Sequence, residues 1–133
     1  MQTMRVPWMM SSAVDARRAV VAELRALGVD PVVVDESEIV ISELVTNAVR
    51  HAKPLADGKI RVSWSVRGSV VEIDVTDGGG PTTPHPAPRS VWSAGGRGLR
   101  IVGSLAHEWG VRENNSGSTV WASMGGPSSR HSP

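Results

Sequence analysis

Cysteine, tyrosine and phenylalanine are absent from this chain, and lysine occurs only at positions 53 and 59. Without cysteine there is no disulfide framework and no thiolate metal site, and redox chemistry gives no reading of compartment. The four histidines, His51, His85, His107 and His131, are too scattered for a histidine-only metal centre. No apolar run approaches the roughly 20 residues that a membrane-spanning helix needs, so no membrane association is expected. Tryptophan is the sole aromatic and the formal net charge is +1, which leaves neither a stacking set nor a basic stripe for nucleic acid. The stretch from Met1 to Met10 lacks the charged head and long apolar core of a signal peptide, so the expected location is the cytoplasm.

What remains is an ordinary globular composition. With 133 residues, 40% hydrophobic and 20% charged, the chain suffices for one core and one domain, expected over residues 1–124. The segment from Gly125 to Pro133 is poor in apolar residues and is expected to be a disordered tail.

Met4 to Met9, with Pro7 inside it, suits an edge strand. Ser11 or Ser12 can cap a first helix, in which Val14, Val20, Val21, Leu24 and Leu27 recur at helical spacing up to a stop at Gly28. A second helix starts near Pro31–Asp35 and runs to about Ala52, burying Val40, Ile41, Leu44, Val45 and Ala48. The period then changes to alternation: Ile60, Val62 and Trp64 face one way, and a turn at Arg67-Gly68-Ser69 leads into the strand Val70–Thr76. Residues 78–97 are rich in Gly, Pro, Ser and Thr and read as a long loop. A third helix is expected from Leu99 to Ala106, and two strands, Trp109–Glu113 and Thr119–Ser123, flank a turn at Asn114-Asn115-Ser116-Gly117.

Three segments bear on chemistry. In Glu43-Leu44-Val45-Thr46-Asn47-Ala48-Val49-Arg50-His51, residues 43, 47 and 51 fall along one side of a helix, beside its apolar stripe. A glutamate there can take a proton from an attacking hydroxyl, and an asparagine oxygen is a hard ligand suited to Mg²⁺. The same spacing also suits the solvated side of any amphipathic helix. Next, the strand ending in Thr76 delivers Asp77, followed by Gly78, Gly79 and Gly80. A carboxylate there can accept a hydrogen bond from the exocyclic amine of a base, although Asp-Gly is also a common turn. Last, Gly95-Gly96-Arg97-Gly98-Leu99 opens a helix, offering free N–H groups and the positive end of a helix dipole to an anion, or serving as a plain hinge.

In this order and at these spacings, the three segments resemble the asparagine box and two glycine boxes of the ATPase fold shared by gyrase, Hsp90, histidine kinases and MutL, the GHKL superfamily. Within it, the chain resembles the small anti-sigma-factor serine kinases, over about Ser12 to Ala122. The resemblance implies an α/β fold, a layer of helices on a mixed, mostly antiparallel sheet, with ATP and Mg²⁺ as cofactors. It implies that Glu43 is the catalytic base and Asn47 the Mg²⁺ ligand, with His51 near the nucleotide. It assigns Asp77 to the adenine amine, Gly79 to the wall beside the base, Gly96, Arg97, Gly98 and Leu99 to the triphosphate turn, and Thr119 to the adenine pocket beside the aspartate. Arg100 joins Arg97 as a candidate for γ-phosphate or partner contacts.

The resemblance further implies a sigma factor or an antagonist protein as partner, and homodimerisation as in related kinases. One departure stands out: Pro81 occupies a place where the first glycine box usually has glycine, fixing φ and removing an N–H at the entrance to the lid. Two functional readings follow from the motif set: a serine/threonine kinase acting on a protein antagonist, and a non-catalytic nucleotide-binding or degenerate module acting by contact. The catalytic fragment of a histidine kinase is disfavoured, because the chain begins almost at the fold and leaves no room for an acceptor helix pair.

Overall fold

The structure, a computed structural model, describes residues 1–79 and 97–126, with residues 97–99 described by backbone alone. Among these, eight elements follow in the order β1 (Gln2–Pro7), α1 (Ser12–Ala26), α2 (Pro31–His51), β2 (Lys59–Arg67), β3 (Val70–Asp77), α3 (Arg97–Leu105), β4 (Glu108–Asn114) and β5 (Gly117–Gly125). The strands form a five-stranded sheet in the order β1-β2-β3-β5-β4, and its pairings are all antiparallel. One face carries the three helices and the other does not, which is the expected α/β layer arrangement.

Strand parity builds the core. Ile60, Val62 and Trp64 on β2 and Val71, Ile73 and Val75 on β3 alternate with polar residues, Val120, Ala122 and Met124 on β5 alternate with Trp121 and Ser123, and all nine are buried. They meet Val20 and Leu24 from α1, Val40, Ile41, Leu44 and Val45 from α2, and Val102 from α3 in one cluster. Full burial of each such side chain contributes on the order of 1.5–3 kcal/mol, so the central strands and α2 form the rigid part of the molecule.

The local signals account for most boundaries. Asp30 caps α2 by accepting a hydrogen bond from the Val32 N–H at 2.8 Å, and Pro31 sits at the first helical position, where its missing N–H costs nothing. At the other end, the Trp8 Nε1–H donates to the Ala52 carbonyl at 3.1 Å, occupying an acceptor at the frayed end of α2. Gly68, with φ +60°, opens the two-residue turn between the paired residues Arg67 and Val70.

Several boundaries differ from expectation. Strand β1 runs from Gln2 to Pro7, because it follows its pairing with β2, and Met9 and Met10 lie beyond it. Neither serine caps α1: Ser11 makes no side-chain cap, and the Ser12 hydroxyl donates instead to the Pro7 carbonyl at 2.6 Å. Helix α3 begins at Arg97 and not at Leu99, so Arg97 and Gly98 belong to its first turn. Strand β5 extends through Gly125, the first residue of the expected tail, because the residue is paired with Val70 and its positive φ and proximity to the Ser69 carbonyl suit only glycine.

Candidate functional site

The site grows from the end of β3. Because Val71, Ile73 and Val75 point into the helical layer, parity sends Asp77 the same way, and it is 1% exposed. Its backbone is clamped on two sides. The linker after α2 contributes a pair of hydrogen bonds, Lys53 N–H to the Gly79 carbonyl at 3.0 Å and Gly78 N–H to the Lys53 carbonyl at 2.7 Å. A side chain at Gly78 would overlap the Pro54 carbonyl, and one at Gly117 would overlap the carbonyl of Asp77. Gly79 has φ +91°, a conformation that strains any residue with a Cβ, and among the described residues the nearest atom to where a Cβ would stand is the Gly117 Cα at 3.9 Å. Asp77 is therefore delivered to a fixed point relative to both α2 and β5.

One carboxylate oxygen of Asp77 is used internally: Oδ1 accepts from the Gly79 N–H at 2.7 Å. The other, Oδ2, is buried and has no hydrogen-bond partner among the described residues. Burial pushes the carboxyl up to about 6; the Gly79 N–H pulls it down, and the Glu113 carboxylate adds a further upward push. An acceptor of this kind costs folding free energy unless a donor arrives.

Strand register identifies its neighbour and corrects one expectation. Asp77 lies opposite Ser118, whereas Thr119 lies opposite Thr76. Residues paired across strands share a face, so Ser118 stands beside Asp77 on the helix side and Thr119 stands on the outer face. There the Thr119 hydroxyl is already engaged with Thr76 Oγ1 at 2.8 Å. Ser118 is 3% exposed, and its Oγ, like Asp77 Oδ2, is buried without a partner among the described residues. Thr119 is thus not beside the aspartate, and Ser118 is the residue that sequence reading missed. The signal was available: Ser118 continues the Val120, Ala122, Met124 alternation, and Thr119 does not.

On α2, Asn47 is 5% exposed and belongs to the buried side of the helix, not to its solvated side. Its Nδ2 is a third buried polar atom without a partner among the described residues. Glu43, one helical turn earlier and roughly 6 Å along the axis, is half-buried, as is His51 one turn later. Neither Glu43 nor His51 makes a hydrogen bond or ion pair among the described residues. Ser37 and Trp64 also hold buried polar atoms lacking partners, so an orphaned atom is not by itself a mark of a site. What distinguishes Asp77 and Ser118 is that they are cross-strand neighbours on one face, beside the Gly79 gap.

The second glycine segment is described only in part. Gly98 and the backbones of Arg97 and Leu99 lie in the first turn of α3, and Arg100 is exposed. Gly96 and Pro81 lie outside the described residues. Among the described residues no group of three or more His, Asp or Glu could hold a metal by itself. Mg²⁺ commonly takes few protein ligands and several from phosphate and water, so a single asparagine oxygen is a donor set that fits the ion only together with a nucleotide. The unpartnered Asp77 Oδ2 and Ser118 Oγ, and the space left by Gly79, fit a planar base that carries an amine.

The fold is a two-layer α/β domain, with three helices on one face of a five-stranded antiparallel sheet. Residues 10–124 match the histidine kinase-like ATPase domain, and the chain belongs to that family. Among solved structures, the chain is similar in fold to part of the structure of the RsbU and RsbW domains of Rv1364c from Mycobacterium tuberculosis, with a TM-score of 0.67 and 23% identity. The match covers 93% of this chain and 32% of that one, so the chain spans about a third of the neighbour's length. No curated protein matches the chain significantly. Among the described residues, no helix is long and apolar enough to cross a membrane.

Proposed function

We propose that this domain binds ATP with Mg²⁺ and works as an anti-sigma-factor-type regulator that phosphorylates a serine or threonine of a protein antagonist. The observation that supports nucleotide binding best is the pair of buried acceptors without partners among the described residues, Asp77 Oδ2 and Ser118 Oγ, held side by side by strand register. An adenine amine would give Asp77 Oδ2 the donor it lacks, and the Ser118 hydroxyl would supply or accept a second bond at the same edge of the base. Gly79 would let the ring approach the backbone. Gly96, Arg97, Gly98 and Leu99, at the opening of α3, would present N–H groups to the phosphates.

Asn47 would hold Mg²⁺, which when bound neutralises phosphate charge and aligns the terminal phosphoryl group. Glu43, without a partner among the described residues, would take the proton from a Ser or Thr hydroxyl. The hydroxyl oxygen then forms its bond to the γ-phosphorus while the bond to the bridging oxygen breaks, leaving ADP. The partner and the regulatory role rest on the family resemblance and on the RsbW domain in the structural neighbour's title; the expectation of a homodimer rests on the resemblance alone, and that of a cytoplasmic location on the make-up of Met1 to Met10.

Calorimetric titration with ATP and ADP in Mg²⁺ tests the binding step, with saturable micromolar affinity as the expected result. Radiolabelled transfer to candidate antagonists tests the chemistry. Glu43→Ala should reduce transfer by 10²-fold or more while nucleotide affinity stays within about threefold. Tight binding with no transfer to any antagonist would point to the non-catalytic module, and no binding by folded protein would defeat the whole reading.

A further inference from the structure

The Asp77–Ser118 pair does not end at β5. Ser118 is itself paired with Glu113 on the edge strand β4, so Asp77, Ser118 and Glu113 form one transverse row on the helix-side face, spanning three strands. Cross-strand neighbours on one face stand about 4.5–5.5 Å apart, which places the two carboxylate-bearing backbones roughly 10 Å from each other with a serine between them. The inner carboxylate is buried and the outer one is exposed. Glu113 has no hydrogen bond or ion pair among the described residues, so no cation of the described chain neutralises it.

We propose that Glu113 tunes base recognition: acting across Ser118, its negative charge raises the pH below which Asp77 ceases to hold a 6-amino purine. The inference rests on the nucleotide reading of the site and adds to it a residue that acts through Asp77 without touching the aspartate. Strand parity puts Glu72 and Asp74 of β3 and Glu108 and Arg112 of β4 on the outer face, and β5 has no ionisable residue; α2 carries Asp35, Glu36, Glu38, Glu43, Arg50 and His51, Lys53 follows it, and α3 carries Arg97 and Arg100. Among the described residues, Glu113 is the charged side chain that adds to burial in raising the Asp77 carboxyl, as the smaller of the two upward pushes. A second negative charge at this distance disfavours ionisation of the first, and an ionised Asp77 is the form that accepts from an amine at full strength. Glu113 is thus a positioning residue in the electrostatic sense, lowering affinity for the base as acidity rises.

The test compares wild type, Glu113→Gln and Glu113→Lys in the full chain. The readouts are ADP affinity at pH 8 and pH 5.5 and the carbon-13 NMR titration of the Asp77 side-chain carboxyl in the nucleotide-free protein. Wild type should lose affinity between the two pH values. Glu113→Gln should shrink that loss by about two- to threefold and Glu113→Lys by more, with the carboxyl titrating at lower pH in the same order. Glu113 is exposed, so both variants should melt close to wild type, and a control, Glu108→Gln at the other end of β4, should leave the ratio unchanged. ADP binding with an unaltered pH ratio in both Glu113 variants would overturn the inference alone. Absence of ADP binding at pH 8 in folded wild type would overturn the nucleotide reading and the inference with it.

Discussion

The two faces of the sheet treat their polar side chains in opposite ways. On the outer face, Thr76 bonds Thr119 at 2.8 Å, Thr3 bonds Ser63 at 3.1 Å, and Arg112 pairs with Asp74 at 3.1 Å while its guanidinium lies 5.9 Å from the centre of the Trp121 ring. On the helix side of the same strands, one residue along, Asp77 and Ser118 hold buried atoms with no partner among the described residues. Strand geometry is shared, so the difference lies in side-chain choice. The outer face spends its hydrogen bonds on itself, whereas the helix face keeps them back. Unsatisfied buried groups cost roughly 1–3 kcal/mol each, a cost that ligand binding can offset. At the ends of β3 and β5, Asp77 and Ser118 bear that cost side by side, where the family resemblance places the nucleotide site.

The strongest way to break this contrast is Asp77→Asn set against Asp74→Asn. Replacing Asp77 removes the charge that would receive the amine, and ADP affinity should fall about 10- to 100-fold, corresponding to the ~1.5–3 kcal/mol of a hydrogen bond to a charged group. Replacing Asp74 removes a half-exposed ion pair with Arg112, which is worth up to about 1 kcal/mol of stability, and should leave ADP affinity within twofold. Equal effects of the two changes on ADP binding would remove the distinction between the faces.

The pH dependence of the nucleotide-free fold gives a second, slightly smaller contrast. Asp77 titrates at about 6 in the folded chain, against roughly 3.9 in an unfolded one. Between these values the folded state binds the proton more tightly, so this group's contribution is fully present below pH 4 and is lost as the pH rises towards 6 and beyond. Compared with Asp77→Asn, the wild type should lose on the order of 2 kcal/mol across that window, read by denaturant unfolding at a series of pH values. Saturating ADP should reverse the trend, because the ligand favours the ionised form. A difference between the two proteins that is flat with pH would mean that the Asp77 carboxyl is solvated as in the unfolded chain.

Most of this arrangement is legible in the sequence, and the gaps have physical causes. The α2 stripe from Val40 to Ala48, the hairpin at Gly68 and the placement of Asp77 at a strand end all follow from periodicity and turn chemistry. The Thr119 expectation failed by one residue, and a one-residue slip in a strand moves a side chain to the opposite face. Asn47 was compatible with a solvated surface until packing of α2 on the sheet buried it. The pairing of Ser118 with Glu113 depends on the register of β4, which a short, polar edge strand leaves weakly specified in the sequence. The clamp of Gly78 against Pro54 is a long-range backbone contact, and no local pattern announces it.

The finest test of the two faces uses adjacent residues. Ser118→Ala removes a buried hydroxyl that has no partner among the described residues, so the nucleotide-free protein should be as stable as wild type or more so, while ADP affinity drops about two- to tenfold for the loss of one neutral hydrogen bond. Thr119→Ala removes the partner of the Thr76 hydroxyl and should lower stability by about 1 kcal/mol, with a smaller change in affinity than Ser118→Ala produces. Stability by chemical unfolding and affinity by calorimetry separate the two outcomes. Because the residues are neighbours in one strand, a general disturbance of β5 would move both quantities together in both variants. Only opposite orientation of their side chains makes one variant a binding defect and the other a folding defect. If instead Thr119→Ala were the variant that lost ADP, the register of β3 against β5 would have to shift by one residue in solution, and Asp77 would lose its hydroxyl neighbour.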